Sequence, residues 1–240
     1  MKCVALILAG GIGARMGIKT PKQFIEINNK PIIIHTLNIF HKNKNIEKIY
    51  ISCLETHKSY LRNLLKEYKL ENKVLIVDNG GGATGIESTY NGIKKINEDY
   101  KAKKNVFVII HDANRPFVKQ ELLDTLMHEA KEKGNVVTAL QSTDLIFKRK
   151  SNENSFESNL GKESLYRIQK PECYKLNDLK NIYEYCFNNN KTNYVATCDM
   201  FLDNNQKIYF INGNQENIKI TYKTDLKLAE EILKEGEKNE

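Results

Sequence analysis

The chain has few cysteines and none of them are paired in sequence. Cys3, Cys53, Cys173, Cys186 and Cys198 lie far apart, with no C-x-x-C spacing among them. That argues against a zinc site and a disulfide framework, and it fits reduced thiols in a cytoplasmic protein. Long hydrophobic runs are missing too: no stretch of the sequence approaches the roughly 20 apolar residues that cross a bilayer. The N-terminal MKCVALILAGG resembles a signal-peptide core, but its apolar run passes straight into glycines, as a buried strand does before a loop. Blocks of like charge are also absent. The net charge of +7 comes from scattered lysines, which suits a phosphorylated small molecule, or an ordinary solvated surface, better than nucleic acid or a membrane. No internal repeat is present, and the 240 residues fit one domain over 1–240.

The apolar residues that are present fall into short runs rich in β-branched side chains. CVALILA (3–9), KIYISC (48–53), KVLIVDN (73–79), NVFVIIHD (105–112) and NVVTALQ (135–141) read as strands, the first, second and fourth covered on both faces. Segments with helical spacing lie between them. PIIIHTLNIFHKN (31–43) gathers Ile33, Thr36, Leu37 and Phe40 on one side, and SYLRNLLKEYKL (59–70) gathers Leu61, Leu64, Leu65 and Tyr68. STYNGIKKINEDY (88–100) and KQELLDTLMHEAKEKG (119–134) continue the alternation. Strand alternating with helix predicts an α/β fold, a mostly parallel twisted sheet with helices on both faces, and ligands beyond the carboxyl ends of the strands. From about 147 to 165 the sequence turns polar, which predicts a disordered loop or an arm that orders on a partner subunit. A helix (176–190), a strand (207–214) and a last helix follow, the last with Thr224 as its expected N-cap.

The loop after the first run, LILAGGIGARMGIKTPKQF, has neither of the two familiar phosphate-binding fingerprints. It lacks G-x-x-x-x-G-K-[ST]. It also lacks the third glycine of G-x-G-x-x-G, since Met16 stands there, and the second strand ends at Ser52 and Cys53 rather than at an acid. Gly10, Gly11 and Gly13 still let backbone N–H groups approach an anion, and Arg15 and Lys22 add two cations over the same space. That combination suits a triphosphate, whose transfer chemistry depends on positioning and charge neutralisation.

The segment LAGGIGARMG…PKQF resembles the signature of the sugar nucleotidyltransferases, in the cytidylyltransferase branch that acts on methylerythritol phosphate or ribitol 5-phosphate. GGATGIESTYNGI (81–93), HDANRPFV (111–118) and NIKIT (217–221) extend the resemblance, in the family's order, across nearly the whole chain. It implies a three-layer Rossmann-like nucleotidyltransferase fold with a protruding dimerisation arm, CTP as substrate, a divalent ion such as Mg²⁺ and a homodimer.

Residue by residue, the chemistry leaves two readings at several positions, and the resemblance chooses between them. Asp112 ends a buried strand, where a carboxylate can hold Mg²⁺ against phosphate oxygens, and Arg115 can grip a phosphate; alternatively the two simply shape a loop. The resemblance makes Asp112 a metal and nucleotide ligand and Arg115 an acceptor ligand. Ser88 can cap a helix or, as the resemblance implies, meet the cytosine ring together with Gly82. Lys219, between Ile218 and Ile220, points away from its apolar neighbours if the segment is a strand; the resemblance brings it to the phosphates as a third catalytic cation beside Arg15 and Lys22. The resemblance also implies nucleotide contacts at Ala9, Gly10, Gly11 and Gly13, and acceptor contacts at Thr143, Lys162, Lys170 and Thr197. It implies one in-line displacement, in which the acceptor phosphate attacks the α-phosphorus of CTP and pyrophosphate leaves.

The chain departs from the family pattern mostly on the acceptor side. Leu145 stands where a lysine is usual, Lys170 replaces a threonine, and Lys162 replaces an arginine of the arm, which is not an equivalent exchange at a bidentate site. On the nucleotide side Gly85 replaces an arginine. These changes favour a polyol or sugar-like phosphate, for surface polysaccharide synthesis, over methylerythritol phosphate of isoprenoid synthesis. A third reading, a non-catalytic nucleotide-binding subunit, is opposed by the presence of Arg15, Lys22, Asp112 and Lys219 together.

Overall fold

Alternating strands and helices place every loop of interest at one edge of a single sheet. The computed structural model describes residues 2–11, 16–17 and 20–238. In chain order these form β1 (Lys2–Leu8), a short hairpin of β2 (Glu26–Ile27) and β3 (Lys30–Pro31), α1 (Ile32–Lys42), β4 (Ile46–Ser52), α2 (Lys58–Glu67), β5 (Val74–Ile76), α3 (Gly85–Tyr100) and β6 (Val106–Asp112). There follow α4 (Gln120–Lys133), β7 (Val136–Gln141), a ribbon of β8 (Phe147–Arg149) and β9 (Phe156–Asn159), β10 (Tyr166–Lys175), α5 (Leu176–Asn188), α6 (Thr197–Asp203), β11 (Tyr209–Asn212) and α7 (Lys223–Lys238).

The seven-stranded sheet has the order β11-β7-β10-β6-β1-β4-β5. All its strands run parallel except β10, which is antiparallel to both β6 and β7. Successive side chains of a strand point to opposite faces, and β1 shows it. Cys3, Ala5 and Ile7 pack with α1, α2 and α4, while Val4 and Leu6 pack with α3, α5 and α6. Both faces are therefore apolar and covered, which is why this strand reads as a continuous run. A third cluster joins Met16, Ile27, Ile32, Phe117 and Ile220 to Ala229 of α7, and it holds the 217–221 segment against the loops at the carboxyl edge of the sheet.

Several expectations need correction. β10 is not predicted by the apolar pattern, because its first residues are exposed and its buried half contains Pro171 and Glu172. NIKIT forms no strand; the Ile220 N–H donates to the Asn114 main-chain carbonyl at 3.0 Å and the Asn114 side-chain amide donates back to the Ile220 carbonyl. Lys219 still projects outward while Ile220 is buried. Thr224 lies in the first turn of α7 rather than capping it. Asp225 accepts the N–H groups of Thr221 and Tyr222 at 2.7 and 2.8 Å instead. The polar 147–165 stretch is an ordered two-stranded ribbon outside the main sheet. All five cysteines are buried and free, and among the described residues no helix is long and apolar enough to cross a membrane.

Candidate active site

The connections after β1, β4, β5 and β6 and one distant segment enclose a cleft of about 430 Å³. Its walls carry Ala9, Gly10, Gly11, Lys22, Gly82, Ser88, Asp112 and Lys219, so eight of the expected site residues meet in one place. Gly13 and Arg15 lie outside the described residues.

The glycine loop is positioned by hydrogen bonds between neighbouring segments. The Ala9 N–H donates to the Ser52 carbonyl at 2.8 Å, which ties the loop to the end of β4. Gln23 is buried and donates from Nε2 to the Ala9 carbonyl at 2.8 Å. That bond folds the 3-10 turn Lys22–Phe24 back over the loop. A Cβ on Gly11 would lie 3.5 Å from Cε of Lys22, so the lysine stem runs directly along the glycine backbone. Gln23 is a site residue that the sequence reading misses; its place next to Lys22 was the available signal.

The opposite wall is the 80–88 loop. Thr84, not Ser88, caps α3, and its hydroxyl accepts the Glu87 N–H at 3.1 Å. The Glu87 carboxylate accepts the Ala83 N–H at 2.7 Å, so the T-x-x-E spacing acts as a helix-start signature. Ser88 lies one turn further in. Its hydroxyl accepts the Gly82 N–H at 2.9 Å and donates to the Thr84 carbonyl at 3.0 Å. Gly82 has no room for a side chain, since a Cβ would fall 2.4 Å from Glu87 Cβ and 2.8 Å from the Ser88 nitrogen. Gly85 is the reverse case, with nothing within 4 Å of an added Cβ.

Asp112 is the meeting point of the cations. Lys219 Nζ lies 3.0 Å and Arg115 Nε 3.1 Å from the same oxygen, Oδ2. Burial pushes the Asp112 carboxyl up, but Lys219, then Lys170 and Arg115, hold it well below the usual carboxylate range. The turn beneath it is fixed from three sides. Thr36 donates to the Ala113 carbonyl at 2.9 Å, Asn114 bonds the Ile220 carbonyl, and His111 Nε2 donates to the Arg115 carbonyl at 2.9 Å. Complete burial lowers the His111 pKa to about 4, so the ring stays neutral and acts as a brace. Arg115 also donates from Nη1 to the Asn217 carbonyl at 2.9 Å.

None of the remaining expected acceptor residues lines the cleft; Lys170 is close enough to Asp112 to lower its pKa, and the others are scattered. Lys170 Nζ is bonded to the buried Glu172. Thr143 and Lys162 are exposed, in the connections on either side of the ribbon, and do not line the cleft. Thr197 is buried, with its hydroxyl 2.9 Å from that of Tyr183, and does not reach the cleft either. Among the described residues no group of three or more His, Cys, Asp or Glu is placed to hold a metal ion. A single carboxylate, Asp112, lines the cleft with both cation contacts on Oδ2. One lining carboxylate suits an ion held chiefly by substrate phosphates rather than by a protein cage.

Comparison with known proteins points to one family. Residues 3–235 match the family model described as IspD, 2-C-methyl-D-erythritol 4-phosphate cytidylyltransferase. The chain is 34% identical over 232 residues to ribitol-5-phosphate cytidylyltransferase of Vibrio parahaemolyticus, covering 96% of this chain and 95% of that protein. It is 32% identical over 238 residues to 2-C-methyl-D-erythritol 4-phosphate cytidylyltransferase of Clostridioides difficile, covering 98% and 95%. Among solved structures, 4-diphosphocytidyl-2C-methyl-D-erythritol synthase of Anaerococcus prevotii superposes with a TM-score of 0.81 at 22% identity, over 97% of this chain and 96% of that one.

Proposed function

The chain belongs to the 2-C-methyl-D-erythritol 4-phosphate cytidylyltransferase family of nucleotidyltransferases, and from that membership we propose that it transfers CMP from CTP to a polyol phosphate, with ribitol 5-phosphate the favoured acceptor. The observation that carries this reading is the convergence of Lys22, Lys219 and Asp112 on one cleft with the glycine loop. The identity to a ribitol-5-phosphate enzyme supports the acceptor, as do the acceptor-side departures at Leu145, Lys162 and Lys170. The CDP-polyol formed would serve surface polysaccharide synthesis in the cytoplasm.

The chemistry asks for no protein base. A phosphate monoester has its second pKa near 6 and is a dianion at neutral pH. One of its oxygens forms the new bond to the α-phosphorus of CTP, the bond from that phosphorus to the bridging oxygen breaks, and pyrophosphate leaves with the electron pair. The N–H groups of Gly10 and Gly11 and the ammonium of Lys22 bind the triphosphate and offset the charge that develops on pyrophosphate. Arg15, outside the described residues, is proposed to share that role. Lys219 neutralises the transferring phosphoryl. The 80–88 loop, with Gly82 and Ser88, meets the base. Arg115 and Lys170 bind the acceptor phosphate. Asp112 would hold a divalent ion such as Mg²⁺, which supplies further charge neutralisation when bound.

We further propose a homodimer built through the ribbon, with Thr143 and Lys162 of each arm serving the neighbouring cleft. Thr197 is left out of the acceptor set because its hydroxyl is buried on Tyr183.

The membership equally allows methylerythritol 4-phosphate as acceptor, as in the C. difficile relative. Pyrophosphate release from CTP, measured with ribitol 5-phosphate, other polyol phosphates and methylerythritol 4-phosphate, separates the two. Release with ribitol 5-phosphate at the highest kcat/KM is expected. Release with methylerythritol 4-phosphate alone reverses the ranking, and no release with any acceptor favours a non-catalytic nucleotide-binding subunit.

A further inference from the structure

Among the described residues the buried carboxylates are Asp112 and Glu172. The first ends β6 in the cleft. The second has no part in the chemistry above, yet it is 0% exposed. Burying a carboxylate is costly unless a cation and hydrogen bonds answer it. Lys170 Nζ bonds Glu172 Oε2, and the Tyr174 hydroxyl donates to the same oxygen at 3.1 Å. Oε1 is buried with no hydrogen-bond partner among the described residues. The carboxylate is thus held through Oε2, by the lysine ammonium and the Tyr174 hydroxyl.

The backbone around this pair is unusual for a strand. The β10–β7 ladder breaks between Gln169 and Glu172. Thr138 donates to the Pro171 carbonyl at 2.7 Å, and Asn217 Nδ2 donates to the Lys170 carbonyl at 2.6 Å. Asn217 is also the residue whose carbonyl takes Arg115 Nη1 at 2.9 Å. One asparagine therefore fixes Lys170 and Arg115 relative to each other. Glu172 pairs across the sheet with Ile110, two residues before Asp112 on β6. An ammonium has three donors. Glu172 takes one of them, and the Lys170 side chain keeps 15% of its surface exposed. The charges here are Arg115, Lys170 and Lys219 against Asp112 and Glu172, a net surplus of one positive charge, which suits a phosphate monoester.

We propose that Glu172 is a positioning residue that fixes the Lys170 ammonium beside Arg115 and Asp112, so that this buried pair sets affinity for the acceptor phosphate and leaves nucleotide binding alone. The proposal rests on the reading of the Arg115 side as the acceptor subsite.

A purely structural ion pair would look similar in the fold but not in kinetics. Glu172→Gln and the double variant Lys170→Met/Glu172→Gln are compared with wild type at saturating CTP, together with CTP binding by calorimetry and thermal unfolding. Glu172→Gln should raise the KM for ribitol 5-phosphate by about 10- to 100-fold, the loss of one charge-assisted contact. Its affinity for CTP should stay within about twofold of wild type. The double variant removes both charges, so its Tm should return close to the wild-type value while the high acceptor KM persists. A double variant that keeps the wild-type acceptor KM, or that fails to fold, marks the pair as structural and overturns the proposal. Wild-type protein that turns over no acceptor at all overturns the functional reading instead, and the proposal falls with it.

Discussion

The two sides of the cleft are built in different ways. On the nucleotide side, contacts are local or run through main chain. Gly82 and Ser88, whose bond closes the base loop, are 6 residues apart, and Gln23 reaches Ala9 over 14. On the acceptor side, Arg115 is tied to Asn217 across 102 residues, and Asn217 to Lys170 across 47. The first kind of site is written in short motifs of fixed spacing. The second joins segments far apart in sequence, side chain to main-chain carbonyl, and each can change when its partners change. This explains why the departures from the family pattern gather on the acceptor side, and why the nucleotide is easier to name than the acceptor.

The hardest test of the nucleotide side is Lys22→Ala. The loop beneath Lys22 is held by Gln23 and by backbone bonds, so the fold should persist, with Tm moved by no more than about 3 °C. The kcat should fall by about 100- to 1,000-fold, as when one preorganised donor to a developing charge is lost. Steady-state pyrophosphate release at saturating CTP measures this. A variant within a factor of a few of wild type would remove the loop from the chemistry.

The acceptor side is tested through the ribbon. A two-stranded ribbon is marginal on its own in water, and this one leaves Leu145 65%, Phe147 44% and Phe156 71% exposed. Such a surface calls for a partner, and a second copy is the partner proposed. Sedimentation of the wild-type protein at micromolar concentration should give a dimer. Leu145→Ser/Phe156→Ser should shift it towards monomer and raise the acceptor KM by about tenfold, through loss of charged contacts from the neighbouring arm, while CTP affinity holds. A monomeric wild-type protein with full activity sinks the dimer.

The same division governs what the sequence reveals. β1, β4 and β6 stand out because both their faces are covered over most of their length, so their apolar residues run together at 3–8, 49–51 and 106–110. β10 does not, because a buried Lys170–Glu172 pair takes the place of apolar residues, and its meaning depends on a partner 2 residues away and on Asn217. The cap of α3 is legible as T-x-x-E from Thr84 to Glu87; Ser88 has the same capping chemistry but sits one turn further in. For α7, Asp225 outcompetes Thr224 because a carboxylate in the first turn can take two backbone N–H groups, as it does here from Thr221 and Tyr222. NIKIT alternates like a strand because one face meets the third cluster and the other meets the cleft; alternation reports two-sided surroundings, not a ladder. Lys219 lines the cleft for that reason, although the segment is not a strand.

The smallest expected effect sharpens the comparison most. Gly85 is the one departure on the nucleotide side, and it lines the cleft with open space before it, nothing lying within 4 Å of an added Cβ. Gly85→Arg should therefore fit without displacing a neighbour. Replacing glycine in a helix gains about 0.5–1 kcal/mol, while a cation in the first turn costs about 0.3–1 kcal/mol against the helix dipole, so the Tm should barely move. An exposed ion pair with the triphosphate contributes about 0.5–1 kcal/mol, which lowers the KM for CTP by about two- to fivefold. The acceptor KM should not respond, because among the described residues Arg115 and Lys170, the proposed acceptor ligands, do not line this wall. If the acceptor KM moves and the CTP KM does not, the space before Gly85 belongs to the acceptor, and the two sides of the cleft have been drawn the wrong way round.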